Sequence, residues 1–306
     1  MLDFIVPNNV HSMSIKEFLR RHIGLSQTIW RKIKNSGSIE VNGKYVSITH
    51  VIFPNDVITL NWLQSCDIMP TNIPLVIAYE DDTLLIIDKP AGMLVHPTTS
   101  EHATTVGNAV MHYFYAQGQS HAFHPVHRLD RNTSGLVLIA KMPHIQHLLS
   151  INGVKHINRQ YLALSTGIIK PPAGTIDAPI ARHPDSIIQR IVDGNGQHAT
   201  TCYKVLKSFS DASLVELTLL TGRTHQIRVH LSHIGHPIIG DDLYGGSREL
   251  IGRQALHAAR LYFTHPVSGK SIDVSSPLPD DILKAIHALS DNDVNENERK
   301  IQLPKL

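Results

Sequence analysis

One stretch of this sequence gathers the side chains that do chemistry. His127-Arg128-Leu129-Asp130-Arg131-Asn132-Thr133-Ser134-Gly135 is a polar loop dense in charge, and Leu136-Val137-Leu138-Ile139-Ala140-Lys141 continues it as an apolar run. A carboxylate set between Arg128 and Arg131 is held in its charged form. An oriented carboxylate can act as nucleophile or as base. The same residues equally suit a structural Arg–Asp pair bracing a loop. A second stretch, Gly222-Arg223-Thr224-His225-Gln226-Ile227-Arg228, places two arginines at a strand-to-helix junction, with Thr224 as the expected helix cap.

Histidine is the unusual feature of the composition, 21 in 306 residues. His121, His124 and His127 stand at i, i+3, i+6, and His225, His230, His233 and His236 cluster later. A zinc site would want H-E-x-x-H spacing or paired cysteines. The sequence has neither, so the histidines read as polar hydrogen-bonding residues and no metal is expected. There is no phosphate-binding G-x-x-x-x-G-K-[ST], no G-x-G-x-x-G after a strand, and no G-x-S-x-G elbow. What remains is chemistry done by side chains alone, without a cofactor.

The elements that must position these residues fall into two groups. Ser14 reads as the N-cap of a first helix, with Glu17 three residues on and Ile15, Phe18 and Leu19 on one face. A second helix is expected over 26–35, with Ile29 and Ile33 inward and Arg31, Lys32 and Lys34 outward. Asn42-Gly43 between Ile39-Glu40-Val41 and Tyr45 is a hairpin signal, and a strand over 57–62 closes the unit. Residues 1–13 read as an irregular or strand-like lead. Between Ser14 and Tyr45 there are seven basic residues and two acidic ones, an excess of five in a chain whose net charge is only +2. Such an excess attracts phosphate. Residues 64–75, with Cys66, Pro70 and Pro74, read as a linker, which gives a module over 1–70, a larger domain over 71–290 and a polar tail over 291–306.

In the larger domain, strand-like runs at 84–87, 135–140, 161–165, 200–206 and 214–220 outnumber helical patterns at 105–116, 144–151, 224–234 and 280–289. They do not alternate strictly, so an α+β fold with a mixed or antiparallel sheet is expected rather than a doubly wound parallel one. No apolar run approaches the roughly 18 residues of a membrane span. Cys66 and Cys202 cannot build a disulfide framework and read as reduced thiols of a cytoplasmic protein.

Residues 127–141 resemble the signature of the RluA-type pseudouridine synthases, H-R-L-D-x-x-T-S-G-L with an apolar strand ending in Ala-Lys. Three further blocks agree in order. They are Tyr79-Glu80-Asp81 through Lys89-Pro90-Ala91-Gly92 and His96-Pro97; residues 220–230 with Gly240-Asp241 and Tyr244-Gly245; and Leu256-His257-Ala258-Ala259-Arg260-Leu261 with His265-Pro266. The likeness spans about residues 76–285. It implies the pseudouridine synthase fold and an isomerase that flips a uridine out of RNA, breaks its glycosidic bond and rejoins the base through carbon five. By this resemblance Asp130 is the catalytic carboxylate, attacking the sugar or taking a proton from it. Arg128 fills the space the base leaves, and Tyr161 lies against the uracil. The family's usual Lys-x-Tyr is Arg159-Gln160-Tyr161 here, which keeps the charge.

Either Arg228 or Arg223 is expected to pair with Asp130, and the motif match favours Arg228. Ile227 would pack under the base, Arg223 would contact RNA, and His127 and Thr133 would join the substrate site. Residues 14–62 resemble the RNA-binding module shared with ribosomal small-subunit protein four, with Arg20, Arg21, Arg31, Lys32 and Lys34 as its RNA face. The implied partner is RNA, with no membrane and a monomeric chain. Large-subunit ribosomal RNA is the family's usual substrate. Transfer RNA, or a role as an inactive RNA-binding relative, is the alternative.

Overall fold

The computed structural model describes residues 2–25, 27–61, 68–151 and 157–292. The N-terminal part comprises β1 (Leu2–Ile5), β2 (Met13–Ser14), α1 (Ile15–Arg21), α2 (Gln27–Ser36), β3 (Ser38–Val41), β4 (Lys44–Tyr45), β5 (Val51–Ile52) and β6 (Val57–Asn61). The Ser14 hydroxyl accepts from the Glu17 N–H at 3.2 Å and so starts α1. Asn42 and Gly43 adopt φ of 50° and 78°, the two left-handed residues a tight hairpin needs. The lead is a true strand, because β1 pairs antiparallel with β6 in a sheet of order β1-β6-β3-β4. Ile15, Phe18, Leu19, Ile33, Ile58 and Leu60 form a core of their own. The side chains of Ile29 and Lys32, and residues Ser26, Trp62 and Cys66, lie outside the described part. This unit rests on the larger one through Phe4, edge-on to the His144 ring at 5.7 Å, and through Met142, which touches both cores.

The larger part comprises β7 (Val76–Glu80), β8 (Leu84–Lys89), α3 (Val106–Ala116), β9 (His124–Pro125), β10 (Ser134–Ala140), α4 (Pro143–Ile151), β11 (Ile157–Thr166), β12 (Ala173–Asp177), β13 (Ile180–Arg182), β14 (Arg190–Val192), β15 (Thr200–Ser208), β16 (Ala212–Leu219), α5 (Gln226–His233), β17 (Leu256–Thr264), β18 (Ser271–Ser275) and α6 (Asp280–Asn292). Ten strands make one sheet, β12-β15-β16-β11-β17-β10-β8-β7, with β18 added to β17 and β9 to β10. Every pairing is antiparallel except β10 with β17. This is the expected α+β architecture with a mixed sheet.

Both faces of the sheet centre are covered, which is why β8 and β10 read as continuous apolar runs. Leu85, Ile87, Val137 and Ile139 join one core with α3, α5 and α6. Leu84, Ile86, Leu136 and Leu138 join the other with Ile145 and Leu149 of α4. Each such side chain contributes about 1.5–3 kcal/mol by leaving water.

Three expectations are corrected. Residues 68–75 are not free linker: Ile68 and Leu75 pack on the main core, and Asn108 of α3 donates to the Met69 carbonyl at 2.7 Å. The tail does not begin at 291, because α6 continues through Asn292; residues 293–306 lie outside the described part. Thr224 does not cap α5. The helix starts at Gln226, and the cap position is His225 in a left-handed conformation with no side-chain cap.

Candidate active site

Asp130 sits in the turn that delivers the chain into β10, closed by a Thr133 N–H to Asp130 carbonyl bond of 3.1 Å. Two residues past Thr133, Gly135 lies opposite Ala258 of β17 at a φ of 110°, where a Cβ would stand 2.3 Å from the Ala258 carbonyl oxygen. Only glycine lets the two strands approach there. The loop is pinned from behind. Arg253 donates from Nη1 to the Asn132 carbonyl at 3.0 Å and is itself clasped by Asp281 of α6 at 2.6 and 2.9 Å. Lys89 donates from Nζ to the carbonyls of Pro90, Met93 and Arg131 at 2.8, 2.9 and 3.0 Å. Burial above all, then the nearby Arg253 charge, pushes the Lys89 amine down to about 7.

The arginine that meets Asp130 comes from neither side of it in sequence. Arg128 is exposed, and Arg131 pairs with Glu101. Arg228, in the first turn of α5, donates from Nη1 to Asp130 Oδ2 at 3.1 Å. It also makes a two-pronged contact with Asp241, Nε to Oδ2 at 2.6 Å and Nη2 to Oδ1 at 2.7 Å. Asp241 is 1% exposed, held in a tight loop in which Gly240 adopts a φ of 83° and a Cβ would strike the Arg253 carbonyl at 1.9 Å. Burial alone would lower the Arg228 pKa. The Asp241 and Asp130 contacts outweigh it and hold the guanidinium firmly protonated. The Tyr244 ring lies under the same guanidinium, 4.9 Å from its carbon.

His225 completes this wall. Its Nε2 is 3.8 Å from Asp130 Oδ2, and its Nδ1 is 2.8 Å from the Tyr244 hydroxyl, which accepts the Arg190 N–H at 2.9 Å. Burial lowers the His225 pKa, with the Asp130 charge working the other way. With the Tyr244 hydroxyl donating to Nδ1, the His225 proton would sit on Nε2 facing Asp130; with the other tautomer, Nδ1–H donates to Tyr244 and Nε2 is an acceptor. Among the described residues both contacts of the carboxylate fall on Oδ2.

Tyr161 projects from β11 at the point where its pairing with β17 slips by one residue, between Gln160 and Tyr161. It is 4% exposed. Burial raises its hydroxyl pKa, the Arg159 charge opposes that, and the Asp130 charge adds to it. The Asp130 charge thus acts on both Arg228 and Tyr161.

Other expected site residues are placed differently. Arg223 is exposed, with Nε donating to the His198 carbonyl at 2.9 Å, and it lines a cleft with Arg182 and Arg190 rather than reaching Asp130. Ile227 is 4% exposed in the main core. Thr133 is 2% exposed and accepts from Gln254 at 3.3 Å, so it builds the wall instead of facing substrate. His127 turns inward, with Nε2 accepting the Leu138 N–H at 3.2 Å. Arg20, Arg21, Arg31 and Lys34 are exposed on the N-terminal unit. Among the described residues no three metal-ligating side chains converge. Asp241 and Tyr244 had a signal, since both stand in the motif carrying Arg228, but nothing local marks which acid an arginine will hold.

A family model described as RNA pseudouridylate synthase matches residues 83–233, the span that carries Asp130, Tyr161 and Arg228. The RNA pseudouridine synthase YjbO of Bacillus subtilis is 38% identical over 281 residues, covering 90% of this chain and 98% of the relative. The chain belongs to the RNA pseudouridine synthase family. The ribosomal large subunit pseudouridine synthase D of Haemophilus ducreyi is 40% identical over 235 residues, 72% of each chain. Among solved structures, human RNA pseudouridylate synthase domain containing 4 superposes with a TM-score of 0.58 at 26% identity, covering 70% of this chain and 93% of that one. As a pseudouridine synthase the protein isomerises uridine in RNA, and the resemblance first seen in residues 127–141 holds over the whole larger domain.

Proposed function

We propose that this pseudouridine synthase acts on large-subunit ribosomal RNA, with Asp130 as its reacting carboxylate. The substrate reading draws on the relatives named for that subunit, at 36–43% identity. The residue reading rests on one observation: Asp130 is held through Oδ2 by Arg228, which is anchored on the buried Asp241. A uridine stacked in RNA is out of reach, so it must first be extruded, at a cost of a few kcal/mol. Arg128, exposed at the mouth, is suited to occupy the vacated stack, since a guanidinium plane both stacks on bases and meets phosphate. Tyr161 offers its ring to the flipped uracil. Asp130 then uses Oδ1 on the sugar, by attack or by proton removal, while Arg228 and His225 keep the carboxyl from rotating.

Outside this centre, Arg223 and the basic face at Arg20, Arg21, Arg31 and Lys34 supply phosphate contacts that carry no sequence information. The N-terminal unit acts as the RNA-binding module. The test pairs two measurements. Mapping pseudouridine in ribosomal and transfer RNA of a strain lacking the protein should reveal loss at positions in large-subunit RNA, and loss only in transfer RNA would refute the substrate assignment. In vitro, Asp130→Asn should fold normally, bind RNA, and lose at least about 10²-fold in tritium release from 5-tritiated uridine RNA.

A further inference from the structure

Arg182 and Arg190 stand directly opposite one another across the β13–β14 hairpin, in antiparallel register. Like charges in that position destabilise a strand pair. Arg223, from the turn before α5, brings a third arginine to the same cleft. Its walls are completed by residues 180–181, 195–197 and 224, none of them acidic. Among the described residues none of the three arginines meets a carboxylate, whereas the surface arginines Arg131, Arg248 and Arg260 each do. Two acids close by in sequence are engaged elsewhere, Asp177 by His198 and Thr200, and Asp193 by the Asn195 N–H. The bonds that Arg190 and Arg223 make go to carbonyls. Arg190 Nη1 donates to Ile188 and Gln189 at 3.2 and 3.0 Å, and Arg223 Nε donates to His198 at 2.9 Å. Such bonds hold a guanidinium in place without neutralising it.

The cleft adjoins the reacting centre. Thr224 lines it, and the next residue, His225, faces Asp130 with Nε2 3.8 Å from Oδ2. The Arg190 N–H holds the Tyr244 hydroxyl at 2.9 Å, and that hydroxyl meets His225 Nδ1 at 2.8 Å. One hydrogen-bonded wall therefore links the arginine hairpin to Asp130. We propose that the cleft of Arg182, Arg190 and Arg223 is a phosphate subsite, holding the RNA backbone beside the extruded uridine. A phosphodiester offers a single negative charge and a pair of free oxygens, which guanidinium forks are shaped to bind. A nucleotide whose sugar reaches Asp130 carries its flanking phosphates with it, so the charge and the place agree. The bound phosphate also relieves the repulsion across the hairpin. The contact fixes the register of the backbone and reads no base. It is made equally in the bound substrate and in the transition state, so it governs KM rather than kcat.

This inference rests on the assignment of Asp130 as the reacting centre, and the test separates the two. The full-length wild type is compared with Asp130→Asn and with variants in which Arg182, Arg190 and Arg223 are all replaced by glutamine or all by lysine. Tritium release from 5-tritiated total RNA of a strain lacking the protein gives kcat and KM over a range of salt. The glutamine variant should melt no lower than wild type, because a like-charge pair has gone and the Arg190 bond to Tyr244 is made by the backbone. Its KM should rise at least about tenfold, the loss of a charged hydrogen bond, with kcat within about threefold of wild type. Its dependence of log KM on log salt should flatten by about 0.7 for each single-strand phosphate no longer held. The lysine variant should keep the wild-type slope, since a point charge still attracts phosphate. The single variants Arg182→Gln and Arg223→Gln, at exposed positions, carry the same test in milder form. An unchanged KM and slope in the glutamine variant would overturn the proposal. So would a fall in kcat at unchanged KM, which would make the arginines part of the wall around Asp130. Titration calorimetry with inorganic pyrophosphate separates the two sources of phosphate. Binding lost in the glutamine variant while KM for RNA stays unchanged would mean a free-anion site and sink the RNA reading. If Asp130→Asn is inactive while the glutamine variant keeps the wild-type KM and slope, only the subsite falls. If Asp130→Asn itself turns over, the centre is misplaced and both readings fall.

Discussion

Arg228 carries two carboxylates, and they are not equivalent. Asp241 is 1% exposed and takes two short hydrogen bonds, whereas Asp130 has a side chain 25% exposed and takes one at 3.1 Å. Removing the arginine strands the buried acid above all. Arg228→Ala should therefore cost about 3–5 kcal/mol of stability, the usual penalty for breaking a buried pair from one side. The rescue pattern is specific. Adding Asp241→Asn should restore more of the melting temperature than adding Asp130→Asn, because it removes the stranded charge. A double-mutant cycle by thermal unfolding measures this, and equal rescue by the two asparagines would contradict the ranking. The sequence showed that two arginines lay within reach of Asp130 but not that a second acid would compete for one of them. Arg228 meets Asp130 because α5 packs its Ile227 and Leu231 into the main core, turning the intervening Arg228 toward the loop before β10.

Elements whose signals are local were legible. Ser14 and Asn42-Gly43 each fix a helix start or a turn through their own side chain or backbone preference, and the structure uses both. Elements set by distant partners were not. The start of α5 follows Arg223 and Thr221, which both engage Gln226, not the threonine hydroxyl that suggested itself. The parallel pairing of β10 with β17 joins Ser134 to His257 and Gly135 to Ala258, a meeting that no spacing within either strand foretells. It is also the most restrictive approach in the sheet. Gly135→Ala puts a methyl 2.3 Å from the Ala258 oxygen at a φ that L side chains rarely adopt. The variant should lose at least about 2 kcal/mol, since strain and a backbone clash combine. Denaturant unfolding tests it. A control at Gly118, also at positive φ but in open space, should lose less.

Across the whole molecule, charge and protonation divide between the two units. Removing residues 1–61 should leave the larger domain folded, because its cores contain no residue of the smaller one. It should weaken RNA binding and flatten the salt dependence by about 0.7–0.9 in log–log slope for each phosphate no longer neutralised. An unchanged slope would mean that Arg20, Arg21, Arg31 and Lys34 face only solvent. Acid should destabilise the protein through its buried imidazoles. Burial pushes His144 down to about 4, and burial followed by the Arg159 charge pushes His127 down to about 3. Below the ordinary histidine value of about 6.5 the unfolded chain binds protons that the folded chain refuses, so stability is lost as the pH falls from there toward 4. Melting temperatures between pH 7 and 4.5 should show the decline, and His144→Leu should flatten it. The Arg253 clasp has a consequence for the order of synthesis. The loop bearing Asp130 leaves the ribosome early, but the parts that hold it, Arg228, Asp241, Arg253 and Asp281, come up to 151 residues later. The smaller unit, whose contacts are local, can fold while that wait continues. If the smaller unit is the RNA-binding module proposed above, a nascent chain grips RNA well before it can modify any, and a chain cut short before Asp281 should bind RNA without reacting.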